Sequence, residues 1–175
     1  MKRTLLWGHT DAICKFVNDL APIERAAWPQ IRHGIGVLRG DGALVAGVVF
    51  ATDRPEFRAW EMSAASVSSH PFSIENVNAL GAFAFRQLKI HRIWARTSTD
   101  NRRARAMLKA LGFTEEGVSA DHWGPKKHAI TARLLQPEWE RRTEGNKSSK
   151  ASAWTATRSN RALPDSLRKT SELAA

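Results

Sequence analysis

The sequence predicts a mixed α/β domain followed by a charged tail, and three observations carry that prediction. Apolar residues alternate with a period near 2 in some stretches and near 3.6 in others, and the two patterns interleave along most of the 175 residues. Gly40-Asp41-Gly42 stands between two apolar runs, a strong hairpin signal. Further on, one helical stretch separates two strand-like stretches, which is how parallel neighbours are joined by a crossover.

The elements follow in order. Thr4–Leu6 reads as a first strand. Asp11–Leu20 reads as a helix with Thr10 as its N-cap and Ile13, Phe16, Val17 and Leu20 on one face. Ile23–Trp28 adds a helical turn before Pro29. Gly34–Arg39 and Ala43–Thr52 flank the hairpin, and Arg58–Ala65 completes a three-strand meander. Ser73 caps a helix reaching Leu88, whose inward residues Ile74, Val77, Gly81, Ala84 and Leu88 recur at helical spacing. Arg92–Ala95 is a strand and Asn101–Leu111 a helix, which Gly112 ends as a left-handed cap. Phe113–Val118 and Ala129–Leu135 close the domain as two strands. A composition break near Trp139 sets the boundary, with a domain over 1–140 and a basic, flexible tail over 141–175. Within that tail only Pro164–Leu173 has the apolar content for a short helix.

Composition narrows the function classes. The chain carries 27 Lys+Arg against 17 Asp+Glu, net +10, and residues 141–175, with eight basic and three acidic residues, hold +5 of it. Such a balance favours anionic partners, or simply solubility. A single cysteine, Cys14, excludes an internal disulfide and a cysteine-cluster zinc site. The six histidines show no paired ligand spacing, so no metal is expected. The longest apolar run, Ala43–Ala51, is about half of the roughly 20 residues a membrane helix needs. A cytoplasmic protein without membrane attachment is expected. Phosphate-loop, dinucleotide, zinc-protease and serine-hydrolase motifs are absent. With no tyrosine in the chain, no phenol can serve as a general acid.

One region is more informative. It runs from Trp60-Glu61-Met62-Ser63 through Ser66-Val67-Ser68-Ser69-His70-Pro71-Phe72-Ser73 into a helix. It continues through His91-Arg92-Ile93-Trp94-Ala95-Arg96 and Asn101-Arg102-Arg103-Ala104 to Leu111-Gly112-Phe113-Thr114-Glu115-Glu116-Gly117. In order and spacing, over roughly residues 34–136, this resembles the GNAT superfamily of acyl-CoA-dependent N-acyltransferases, most of all the ribosomal-protein N-terminal acetyltransferases. The resemblance implies a GNAT-like mixed, mostly antiparallel central sheet with flanking helices.

It also implies a site. Acetyl-CoA, as co-substrate, would lie in a V-shaped opening between the strand near Glu61 and the strand near Trp94. The backbone around Val67 would bond the acyl carbonyl and pantetheine, while Ser68, Ser69 and Ser73 would receive the pyrophosphate at a helix start, where exposed N–H groups favour an anion. Asn101, with Arg102 and Ala104 of the same motif, would contact the cofactor arm. The chain departs from the family at the pyrophosphate loop. The two small positions there fall on Pro71, which has no N–H, and on Ser73, and no glycine lies between Ser66 and Leu80.

Glu61 is the leading candidate for orienting or deprotonating an amine. Protonation of the leaving group falls to Ser98, Cys14 or water. Plainer roles stand beside these: Glu61 as a strand residue in an ion pair, Asn101 as a helix cap, His70 as a surface residue, and Trp60 and Trp94 as core or cleft lining. The expected function is acetyl transfer from acetyl-CoA to a primary amine of a small molecule or protein, by direct attack. The alternative is a nucleic-acid-binding or nucleic-acid-modifying protein with a degenerate acyl-CoA site, meeting nucleic acid or the ribosome through its basic face and tail.

Overall fold

The computed structural model describes residues 3–21 and 28–144. The expectations for residues 23–27 and for the tail from residue 145 lie outside them. In chain order the elements are β1 (Thr4–Leu6), α1 (Thr10–Leu20), β2 (Ile31–Leu38), β3 (Leu44–Thr52), β4 (Ala59–Ser66), α2 (Ile74–Ala82), β5 (Arg92–Ser98), α3 (Arg102–Ala110), β6 (Thr114–Ser119), β7 (Ala129–Leu135) and α4 (Gln136–Glu144). The strands hydrogen-bond in the order β1-β2-β3-β4-β5-β7-β6. The predicted mixed α/β class and its mostly antiparallel sheet are what is found. The chain divides into two compact units, one with residues up to Asp53 and Ser63–Ala79, the other with Arg54–Met62 and the segment from Leu80; β4 and α2 run through both.

In the first unit β1 and β3 flank β2, both antiparallel to it. The hairpin closes where the Arg39 N–H donates to the Ala43 carbonyl at 2.8 Å. Asp41 accepts from the Ala43 N–H and from the Arg39 guanidinium. Chiefly the Arg39 bond, and then the Ala43 bond, hold its carboxyl at about 2. Every residue of β3 is buried, so the strand reads as a continuous apolar run rather than an alternating one. Ile13, Cys14 and Val17 of α1 pack with Leu6, Leu38, Leu44 and Val49 to form its core. Thr10 is not the cap of α1. The helix begins at Thr10, preceded by His9, and the Thr10 hydroxyl accepts from the Gly34 N–H instead. A competing acceptor role on β2 took the side chain that local capping preference would have used.

In the second unit β5 pairs in parallel with β4 and antiparallel with β7, which in turn pairs with β6. The predicted helical crossover therefore joins parallel neighbours. Its helix is not α-helical throughout: α2 gives way to a π-helical turn over Phe83–Gln87, closed by the Leu88 N–H on the Phe83 carbonyl. Glu116 accepts from Arg92 and pairs with Arg133, and Arg133 also bonds Glu138, a half-buried row of alternating charge.

Gly112 does end α3 in the left-handed region, at φ +93°. The Arg142 guanidinium lies where a Cβ at this position would be. Gly112→Ala should therefore cost about 1–2 kcal/mol, the penalty of a left-handed L-residue, with any displacement of Arg142 adding to it. Urea unfolding measures this, and an unmoved midpoint would mean that the end of α3 relaxes freely. The boundary expected after residue 140 falls inside α4, whose Arg142 donates to the Ala110 carbonyl and whose Trp139 is 4% exposed. Among the described residues no helix is long and apolar enough to cross a membrane, and no group of three or more His, Cys, Asp or Glu could hold a metal ion.

Candidate active site

The β4–β5 ladder is short. It pairs Ala59 with Arg92, Trp60 with Ile93 and Glu61 with Trp94, and then stops. Period-2 alternation puts Trp60 and Met62, both buried, on one face of β4 and half-buried Glu61 on the other. Glu61 and Trp94 are level, so their side chains share a face, and parity adds Arg96 and Ser98 to it. The Arg96 guanidinium sits over the Trp94 ring, 5.2 Å from its centroid, and shares a hydrogen bond of 3.1 Å with His122. At about 3.3 Å per residue, Ser98 stands roughly 13 Å along β5 from the level of Glu61. Ser98 shapes the turn into α3. Its hydroxyl oxygen accepts from the Asp100 N–H and its carbonyl from the Asn101 N–H.

The C-terminal end of β4 is held by β3. The Val67 N–H donates to the Val45 carbonyl at 3.0 Å, and the Ser66 hydroxyl donates to the same oxygen. The Val67 side chain is 63% exposed. Its amide hydrogen is thus engaged by β3.

The loop that follows is held by side chains. The Ser68 N–H donates to the Ser66 hydroxyl oxygen, and Ser69 bonds the His70 ring. Arg3 donates from one nitrogen to the Ser68 hydroxyl at 3.2 Å and to the His70 carbonyl at 3.4 Å. Its other terminal nitrogen is buried without a hydrogen-bond partner among the described residues. Ser73 caps α2 as expected, in a reciprocal arrangement: the Asn76 N–H donates to the Ser73 hydroxyl oxygen while the Asn76 side-chain oxygen accepts from the Ser73 N–H. This is the geometry of a capping box, with Asn in the place of Glu. Glu75 occupies the first turn, and the Ser73 hydroxyl, followed by its own amide, holds its carboxyl below the usual carboxylate range.

Asn101 is the N-cap of α3, its side-chain oxygen accepting from the Ala104 N–H at 3.0 Å. Arg102 is exposed and Ala104 half-buried. The residues that sequence reasoning missed are Arg3, Glu75 and Asn76. The Ser73-x-x-Asn76 spacing was readable as a capping signal, whereas nothing local links Arg3 to a loop 65 positions away.

A family model for the acetyltransferase (GNAT) domain matches residues 11–114, more than half of the chain. The chain belongs to the GNAT acetyltransferase family. Similar solved structures agree in fold. The spermidine/spermine N-acetyltransferase SpeG of Vibrio cholerae, in complex with manganese ions, aligns with a TM-score of 0.64 at 16% identity, covering 81% of this chain and 97% of that one. A chimera of the Vibrio cholerae spermidine N-acetyltransferase SpeG and hSSAT aligns at 0.64 and 17% identity, covering 80% and 99%. A dodecameric form of the Vibrio cholerae enzyme, in an intermediate state, aligns at 0.64 and 16% identity, covering 81% and 98%. No curated protein matches in sequence.

Proposed function

We propose that this chain transfers an acetyl group from acetyl-CoA to a primary amine, and that Glu61 handles the proton of that amine. The observation that carries this reading is the end of the β4–β5 ladder at Glu61 and Trp94 in a chain of the GNAT family. A parallel pair that stops after three residues leaves main-chain groups of both strands to be satisfied by something else.

The residues present fit the donor. The phosphates would be met by Ser68, Ser69, Ser73 and the start of α2, with the Arg3 cation, which bonds Ser68 and His70, adding positive charge beside them. Asn101, with Arg102 and Ala104, would hold the arm. The loop lacks glycines and Pro71 lacks an N–H, so side-chain hydroxyls and Arg3 replace main-chain donors. The Glu75 carboxylate competes for the same helix start and must give way to a bound phosphate. Bound acetyl-CoA supplies an acyl group activated as a thioester.

The chain's own residues do the rest. Glu61 orients the amine and takes its proton, directly or through one water. Ser98 is the proposed donor to the departing sulfur, because its oxygen already accepts from Asp100 and its hydroxyl hydrogen is left to give. The roughly 13 Å between their levels on the sheet has to be spanned by the two side chains with the amine and the thioester between them. Arg96 over Trp94 puts a cation on this face, and the chain is strongly basic as a whole. Both favour a monoamine or a peptide amine, as in the ribosomal-protein subgroup, over a polycation.

The test begins with mass spectrometry of the purified protein for retained CoA species and calorimetry with acetyl-CoA. Turnover on monoamines, peptides and spermidine follows. Absence of binding at millimolar acetyl-CoA overturns the reading. Ser73→Asp separates charge from fold, since Asp caps a helix as well as Ser does. The variant should keep its Tm but lose the rise in Tm that acetyl-CoA gives the wild type. A full shift in the variant would move the phosphates elsewhere.

A further inference from the structure

We propose that the groove between α3 and β6 binds a small phosphomonoester with an apolar body, at a place that shares only Arg102 with the residues proposed for the donor. The groove has a volume of about 670 Å³, within the range of small-molecule sites. It lies wholly within the second unit, and the acetyl-transfer reading bears on it only at Arg102.

Three cations line it. Arg102, Arg105 and Lys109 follow one another at spacings of three and four and so occupy one face of α3. At 3.6 residues per turn that face is about a quarter-turn from the line of Asn101, Ala104 and Leu108. Arg105 is fixed in place. Its guanidinium grips both oxygens of Glu115, at 2.9 and 3.1 Å, and donates to the Thr99 carbonyl. Arg102 and Lys109 make no side-chain hydrogen bond or ion pair among the described residues. Beneath these heads the floor is apolar, formed by Leu108, Phe113 and Ala132, all buried.

Charge selects the ligand class. Three cations against the Glu115 carboxylate leave two positive charges, which matches the −1.5 to −2 of a phosphomonoester near neutral pH. A carboxylate would leave one of them unanswered. Inorganic phosphate would answer the charge and leave the apolar floor wet. Arg105, whose guanidinium nitrogens are committed to Glu115 and Thr99, contributes charge, and Arg102 and Lys109 are left to donate to the phosphate oxygens.

Phenyl phosphate is the probe, titrated into the full chain by calorimetry and followed by amide chemical shifts. Shifts are expected at Ala106, Lys109 and Thr114. Inorganic phosphate and benzoate should each bind at least about tenfold more weakly, as each loses one part of the recognition. Lys109→Glu should weaken phenyl phosphate by at least about tenfold. Lys109 is exposed on a helix surface, so the variant should fold, and Lys109→Gln, with a smaller loss, guards against the case in which it does not. The proposal is overturned by no binding of phenyl phosphate, equal binding of inorganic phosphate, undiminished binding by both Lys109 variants, or full competition by acetyl-CoA, which would make the groove part of the donor site. Tighter binding of a short RNA with the same shifts would assign the groove to a polynucleotide and overturn it as well.

Discussion

Glu61→Gln is expected to lower acetyl transfer by roughly 10²–10⁴-fold, the span that general acid–base catalysis supplies. The substitution keeps shape and removes the negative charge and with it the ability to take a proton. The strand should not move, because its ladder with β5 is main-chain and its anchors, Trp60 and Met62, face the other way. Acetyl-CoA should therefore bind the variant as it binds the wild type, with the same rise in Tm. Steady-state turnover on an identified amine, together with calorimetry, separates the two effects. Undiminished turnover would remove Glu61 from the chemistry, and loss of donor binding along with turnover would recast it as a structural residue. No tyrosine is present to share the work.

Trp139→Ala is expected to cost about 3–5 kcal/mol of stability, the usual toll of deleting a large buried aromatic side chain. Trp139 is 4% exposed, its ring lies 5.4 Å from that of Phe85, and the Arg86 guanidinium sits over it at 5.1 Å. Gly81 accepts the indole edge so closely that a Cβ there would clash with it. The contact joins α4 to the place where α2 becomes a π-helical turn. Trp139→Phe should recover much of the loss by keeping a ring against Phe85. Equilibrium unfolding in urea checks both, and a Trp139→Ala midpoint within about 1 kcal/mol of the wild type would show that α4 is merely laid on the surface.

Much of this fold was legible because its signals are local. Gly40-Asp41-Gly42 specifies its hairpin by backbone conformation and a side-chain bond two residues away. Asn101 and Gly112 mark the two ends of α3 by the same short-range rules. Boundaries slipped where tertiary bonds decided them: Thr10 was claimed by Gly34, and β5 runs to Ser98 because β7 pairs with it along its whole length. α4 was hidden by composition, since Gln136–Glu144 carries one large apolar residue, Trp139, in a charged stretch, and that residue's partners lie more than 50 positions back. The site was legible as a set of strands and helix starts. Its electrostatics were readable at Glu75, two residues after the Ser73 cap, and not at Arg3, which meets Ser68 only in the fold.

The strand order has a further consequence, for solubility. The last strand on each side of the hydrogen-bonded order is β1 or β6. An exposed strand with unpaired amides invites a neighbouring molecule to add to it and so to seed aggregates. β1 is three residues long, too short to template much. β6 is longer, yet its pairing with β7 slips between Glu115 and Gly117, and it carries two consecutive glutamates. A bulged strand carrying a cluster of paired side-chain charges is a poor template for a second copy of itself. Edge-to-edge association is thus discouraged by the same two residues whose carboxylates face Arg105 on one side and Arg92 and Arg133 on the other.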